Sequence, residues 1–279
     1  MPELPEVETI KTALAHSIGK CVIKGLTVNN YRLRLPVPQD IFEKICGQSI
    51  LDYQRRAKYI LIHLSNNVTI IWHMGMSGRV KISDTNPAAV EKHDHIIMET
   101  ENGWVTYNDA RRFGVFTHCE TNRLKDHPLL NKIGLEPFDE NLTADYLFNR
   151  LQKKSVPIKV ALLDQEIVTG IGNIYASETL YLAGIAPTRA AKDIRLEECA
   201  ILLTSFRKVL ADAIAAGGST LKDYQKPDGS LGYFQNLHCV YNKTGQKCPQ
   251  CTCDINQTGG IRKIIQAGRS SFFCPQKQK

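Results

Sequence analysis

The residues with the most chemistry in them stand at the start of the chain, in the run Met1-Pro2-Glu3-Leu4-Pro5-Glu6. Once Met1 is removed, Pro2 carries a free secondary amine with the carboxylates of Glu3 and Glu6 nearby. A backbone amine titrates at about 7.7–8.0, against about 10.4 for lysine, so a usable fraction is unprotonated near neutral pH. Only that form is a nucleophile, and after adding to a sugar carbon a secondary amine can still become a cationic iminium, the electron sink that eliminations require. The same residues are also ordinary helix-start signals, a proline and acids in a first turn. The stretch alone leaves both readings open.

A second group lies near the end. Cys248-Pro-Gln-Cys251 is followed, across a hairpin-like stretch, by Cys274-Pro-Gln-Lys277. Two such knuckles make a zinc site when four thiolates close a tetrahedron. Here Lys277 occupies the position of the fourth cysteine, and an ammonium has no lone pair to give. Cys253, Cys239 or His238 could complete the set after loop rearrangement; the alternative is a metal-free hairpin held by apolar contacts.

Three further stretches suggest a nucleic-acid partner. His73-Met74-Gly75-Met76-Ser77-Gly78 and Asp109-Ala110-Arg111-Arg112-Phe113-Gly114 are turns that carry apolar wedges beside arginine. Such wedges can fill the gap left when a nucleotide leaves a base stack, although strand-end core residues look the same. Gly170 and Gly172 precede a helical pattern, where backbone N–H groups can approach a phosphate, with Lys159 and Asn173 in plausible reach. Lys58, after Arg55-Arg56, is either a solvated charge at a strand end or a phosphate ligand or proton donor.

These groups need elements to hold them. Leu4, Val7, Ile10 and Leu14 fall at helical spacing before Gly19, which places the N-terminus at a helix head. Strand-like segments follow at Cys21–Val28, Lys58–Leu64, Val68–His73, Val105–Asn108 and Phe113–Thr117. Helical patterns then cover Ala144–Lys154, Ile158–Leu163, Gly172–Ala183 and Leu196–Ala216, the last stopped by Gly217-Gly218. Ile261–Gln266 and Arg269–Cys274, joined by Ala267-Gly268, read as a hairpin. The expected architecture is α+β and multidomain: a helix on a β-sandwich over 1–119, a linker over 120–142, a helical domain over 143–238, and a zinc-finger-like hairpin over 239–279.

Of 279 residues 43% are apolar, ample for a core, and the net charge is +7. From Cys239 to Lys279 seven basic residues stand against one acid, Asp254, so six of the seven net charges lie in the last 41 residues. A basic module on a balanced body is the footprint of a polyanion binder. The acidic N-terminus does not look like a secretion signal, and no apolar run reaches the roughly 18 residues of a membrane span. Nine cysteines without a signal point to a reducing compartment.

The ordered motifs PELPEVET, QRRAKYIL, HMGMSG, EKHDH, NDARRFG, IKVALLDQ, GIGNIYASE, GGSTLKDYQKPDGSLGYFQ, VYNKTG, CPQC and AGRSSFFCP resemble those of the formamidopyrimidine-DNA glycosylases, bacterial base-excision enzymes of the helix–two-turns–helix superfamily. The resemblance spans essentially the whole chain. It implies a bifunctional glycosylase and abasic-site lyase, with Pro2 as nucleophile, Glu3 as proton donor and Glu6 in support. Lys58 then matches the proton donor of β-elimination, and Arg269 the hairpin arginine assigned to δ-elimination. His93, Arg111 and Lys154 match DNA-contacting positions, and Lys159, Asn173 and Tyr241 backbone contacts. Met76, Arg111 and Phe113 match the void-filling triad, with Arg111 facing the orphaned cytosine; His73 belongs to the same DNA-facing set.

Leu4, where the oxidised-pyrimidine branch typically has glycine, and the GGSTLKDYQKPDG segment favour oxidised purines such as 8-oxoguanine and formamidopyrimidines. The implied setting is a monomer acting on oxidised duplex DNA in the bacterial cytoplasm, with one zinc that is weak or lost. The alternatives are an oxidised-pyrimidine glycosylase and a lesion binder that no longer cuts.

Overall fold

The computed structural model describes residues 2–219, 227, 230, 232–249, 251, 252 and 254–279. Most of the GGSTLKDYQKPDG segment, together with Met1 and Cys253, lies outside the described residues. The contacts group the chain into two units, one of residues 1–131 and 213–235, the other of 132–212 and 236–279.

The first unit opens with helix α1, Leu4–Ser17, which buries Leu4, Val7, Ile10 and Leu14 on one side. It ends at Gly19, whose φ of +63° suits a residue without a Cβ. Two four-stranded antiparallel sheets follow. One joins β1 (Ile23–Val28), β6 (Asp94–Thr100), β7 (Gly103–Asn108) and β5 (Arg79–Ser83) in that spatial order. The other runs β2 (Ile50–Arg56), β3 (Tyr59–Leu64), β4 (Val68–His73), β8 (Val115–Glu120), and α2 (Ile41–Ile45) is the short helix preceding β2. A single apolar core takes side chains from α1 and both sheets. At its centre the Trp72 ring meets Tyr107 and Phe116 edge-on, with centroids 5.4 and 5.3 Å away. Such pairs add about 0.5–1.5 kcal/mol each beyond their burial.

Strands β2, β5 and β6 have no counterpart among the five expected from sequence. Bulges lie between Ile50 and Asp52 in β2 and between Asp94 and Ile96 in β6. An extra residue breaks the period of two and obscures alternation, although β1 carries a similar shift between Ile23 and Gly25 and its segment is among the five expected. The expected strand from Phe113 instead begins at Val115. The reason is local: Gly114 donates its N–H to the Asp109 carboxylate at 2.8 Å, and Arg112 takes a φ of +56°. Phe113 is therefore a loop residue.

The second unit holds α3 (Ala144–Leu151), α4 (Ile158–Leu162), α5 (Asn173–Ala183) and most of α6 (Leu196–Ala215). Thr143 caps α3 by accepting the Tyr146 N–H at 3.1 Å. Every residue of α5 from Ile174 to Tyr181 is buried, as expected of a helix surrounded by its unit, and Gly184 ends it at φ +74°. The tail adds a short helix α7 (Ile255–Thr258) and the hairpin β9 (Arg262–Gln266)–β10 (Arg269–Phe273). Ala267 and Gly268 form its turn at φ +46° and +73°, the paired left-handed residues that two-residue hairpins favour. No helix among the described residues is long and apolar enough to cross a membrane.

Candidate active site and nucleic-acid interface

At the head of α1 the helix-start role falls to Pro5, in the first turn, whereas Pro2 lies just ahead of the Glu3 N-cap. Pro2 is buried. Glu6, 1% exposed, holds this arrangement with both carboxylate oxygens. Its Oε2 accepts the Glu3 N–H at 2.8 Å, the return half of a capping box. Its Oε1 accepts the Ser219 N–H at 2.8 Å. The Gly217-Gly218 pair that stops α6 thereby gains a second role. A Cβ on Gly218 would come within 2.9 Å of that same Oε1, and its φ is +77°. Glu6 thus ties the residue that follows Pro2 to a turn at the far end of α6.

Lys58 sits in the β2–β3 turn and is 8% exposed. Arg56 pairs with Tyr59, which leaves Ala57 and Lys58 as a two-residue loop with Ala57 at φ +55°. A non-glycine residue there costs about 1–2 kcal/mol, so the sheet holds the turn against strain. His73, at the end of the neighbouring strand, packs its ring 4.8 Å from that of Tyr59. Burial first, then the charges of Lys58 and Arg34, push His73 down to about 4. Its Nδ1 accepts the Gly75 N–H at 2.9 Å, which leaves Nε2 as the protonated nitrogen of a neutral ring. A cationic lysine beside a neutral imidazole donor suits the grip of an anion such as phosphate.

The two glycine-bearing turns interlock. Cβ atoms built on Gly75, Gly78 and Gly114 would approach Gly114 N, Met74 O and the Tyr107 hydroxyl at 2.4, 2.0 and 1.7 Å. Only glycine lets these groups, two backbone atoms and the Tyr107 side chain, approach so closely. The turns present Met76 and Phe113, 36% and 43% exposed, and the Arg111 guanidinium lies 4.8 Å from the Phe113 ring centroid. His93 is half-buried, ahead of β6.

The second unit gathers its own polar cluster. Lys159 is buried, and its ammonium donates to Asn173 Oδ1 and to the Ser270 carbonyl, both at 2.6 Å. Asn173 Nδ2 donates to the same carbonyl at 2.9 Å and approaches the Tyr241 hydroxyl at 3.5 Å. Lys159 therefore ties α4 and α5 to β10 from beneath. Gly172 caps α5, but the Gly170 N–H is taken by Gln165 Oε1 at 3.0 Å. Lys154 pairs with Asp164 at 2.8 Å, and Arg269 is exposed at the hairpin turn.

Glu178 was not singled out from the sequence. It is 3% exposed and accepts three consecutive N–H groups, from Cys239 at 2.7 Å, Val240 at 3.0 Å and Tyr241 at 2.7 Å. Burial raises its pKa, and those N–H groups partly offset the rise. The signal that points to it is the single charged residue in the middle of an otherwise uncharged helix, a carboxylate which, once buried, must find donors.

Cys248, Cys251 and Cys274 bring their sulfurs within 4.8 Å of one another, with Cys274 Sγ 3.4 Å from Cys248 and 3.6 Å from Cys251. With Zn–S bonds of about 2.3 Å, tetrahedral thiolates stand roughly 3.8 Å apart, so the trio fits three vertices. Among the described residues no fourth cysteine, histidine or carboxylate joins them. Lys277 instead places its ammonium 4.2 Å from the Tyr181 ring centroid. Gln278 closes the broken knuckle, accepting the Cys274 N–H at 2.8 Å and donating to the Ile185 carbonyl at 2.9 Å.

Comparison with known proteins gives the family of the chain. The sequence profile of the formamidopyrimidine-DNA glycosylase N-terminal domain matches residues 1–116, and that of the family's H2TH domain residues 133–225. The formamidopyrimidine-DNA glycosylase of Rhodospirillum rubrum is 44% identical over 281 residues, covering all of both chains. A solved Lactococcus lactis Fpg variant bound to Fapy-dG DNA is 34% identical, with a TM-score of 0.90 over the whole of both chains. The wild-type L. lactis Fpg bound to oxidised-pyrimidine DNA is also 34% identical over the full length, with a TM-score of 0.89. The chain belongs to the formamidopyrimidine-DNA glycosylase family and is a DNA glycosylase of base excision repair.

Proposed function

We propose that the protein excises oxidised purines, 8-oxoguanine and formamidopyrimidines, opposite cytosine in duplex DNA and then nicks the strand by β,δ-elimination. The unprotonated Pro2 nitrogen bonds to C1′ while the glycosidic bond breaks and the base leaves with the bonding electrons. The Pro2 nitrogen then loses its proton, which the departing base takes up; Glu3 protonates the ring oxygen O4′, the C1′–O4′ bond breaks, and the product is an iminium linking Pro2 to C1′. Lys58 donates the proton of β-elimination, and Arg269 grips phosphate for the δ step. The observation that carries this reading is the placement of Pro2 ahead of the α1 N-cap, next to the Glu3 N–H that Glu6 ties to Ser219.

DNA contacts are assigned to His73, His93, Arg111, Lys154, Lys159, Asn173 and Tyr241. Met76, Arg111 and Phe113 enter the stack when the damaged nucleotide is extruded. Zinc, when bound by Cys248, Cys251 and Cys274, would stiffen the hairpin that carries Arg269.

Borohydride reduction of the iminium tests the chemistry. We expect wild-type protein lacking Met1 to be trapped covalently on 8-oxoguanine duplex and Pro2→Ala to give no adduct. Wild-type protein that binds the duplex without an adduct would instead be a lesion binder. The L. lactis complex with oxidised-pyrimidine DNA makes a second substrate class worth measuring. Release of thymine glycol faster than 8-oxoguanine would overturn the purine assignment.

A further inference from the structure

Asp109 has no exposed surface, and among the described residues no cation pairs with it. Its Oδ1 accepts the Ser77 hydroxyl at 2.5 Å. Its Oδ2 accepts the Gly114 N–H at 2.8 Å and lies 3.1 Å from the Tyr107 hydroxyl. Ser77 Oγ in turn accepts the Arg111 N–H at 3.0 Å. The Asp109 backbone is fixed as well: its carbonyl takes the Arg112 N–H at 3.1 Å and meets His95 Nε2 at 2.8 Å, and its own N–H donates to the His93 carbonyl at 3.0 Å. One side chain therefore grips the turn that bears Met76 and the turn that bears Arg111 and Phe113, and it reaches β7 through Tyr107.

We infer that Asp109 is a positioning residue that makes Met76, Arg111 and Phe113 a single rigid wedge for entry into the base stack. The physical argument is one of preorganisation. Three side chains on two separate turns would each lose conformational freedom on entering DNA. A shared buried carboxylate and glycine-tight backbone contacts remove that loss beforehand. Replacing the carboxylate by an amide leaves one acceptor oxygen where there were two, so an N–H must face either the Gly114 N–H or the Ser77 hydroxyl, and the link between the two turns loosens.

The inference rests on the assignment of these three residues as the wedge. It predicts a selective defect. A duplex lesion must be extruded before its base is cut, whereas a pre-formed abasic site has no base to remove from the stack. We expect Asp109→Asn to slow excision of 8-oxoguanine from duplex by about tenfold or more, and nicking of an abasic duplex by less than about threefold. Discrimination between cytosine and adenine opposite the lesion should shrink in parallel, because Arg111 loses its fixed backbone.

Ser77→Ala, which removes one link and no buried charge, should give the same pattern with a smaller ratio, and it decides the matter should Asp109→Asn fail to fold. Equal losses on both substrates, or an unchanged excision-to-nicking ratio in Ser77→Ala, would overturn the inference. A wild-type enzyme that excises no lesion would instead refute the functional reading itself.

Discussion

Glu6 in the first unit and Glu178 in the second are both buried carboxylates that accept backbone N–H groups, yet they divide those bonds differently. Glu6 gives one oxygen to Glu3, three residues away, and the other to Ser219, 213 residues away. Glu178 gives everything to the contiguous segment Cys239–Tyr241. The first bridges two distant parts of the chain around the proposed nucleophile. The second anchors one strand of chain that carries Tyr241 towards the cysteine hairpin. On the proposed function, similar chemistry serves reaction geometry in one unit and a binding surface in the other.

The largest effect that would break this contrast is in Glu6→Gln. An amide places a donor against either the Glu3 or the Ser219 N–H. We expect adduct formation to slow by about a hundredfold, with affinity for lesion duplex held within about threefold. Glu178→Gln should show the reverse: affinity weakened about tenfold, and the adduct rate at saturating DNA nearly unchanged. Equal effects on both quantities in both variants would erase the distinction. Gly218→Ala tests the Glu6 bridge from its other end. A Cβ 2.9 Å from Oε1, at φ +77°, should cost about 2 kcal/mol in a denaturant melt and slow adduct formation in step.

The smallest effect lies in the pH dependence of stability, where the signs differ. Glu178 holds its proton more tightly folded than unfolded, so its contribution is full below the ordinary glutamate range and is lost as pH rises through its folded pKa. His73, lowered from 6.5 to about 4, binds its proton less tightly when folded. Its contribution is present above pH 6.5 and is lost as pH falls towards 4. Urea melts at pH 7 and pH 4.5 should show the acid loss reduced in His73→Asn. An unchanged loss would mean that other groups carry it.

Much of this was legible in the chain because local pattern and tertiary need coincide. The helix from Leu4 and the strand Val68–His73 read directly from apolar pattern, and the hairpin from Ala267-Gly268 between two strand-like segments. Strand β2 did not, its alternation broken near Ile50, and β6 did not, because Asp94, His95 and Thr100 are polar residues that the core nevertheless buries. Of the candidate site residues, Pro2, Lys58 and the cysteines can be singled out from residue type, although an ordinary structural reading stands beside each. Asp109 and Glu178 cannot, because a buried acid is defined by the distant N–H groups it accepts. Asp109 looks like an ordinary turn aspartate until Ser77, 32 residues earlier, is folded against it.

The central claim is that Pro2 acts through its own nitrogen, and that nitrogen is nucleophilic only when it is not an amide. The most direct measurement is borohydride trapping on 8-oxoguanine duplex of two preparations, one with Met1 removed and one retaining it, each verified by intact mass. The account predicts a covalent adduct from the processed chain alone, with both forms binding the duplex. An adduct of equal yield from the chain that retains Met1 would assign the chemistry to another amine, Lys58 first among them.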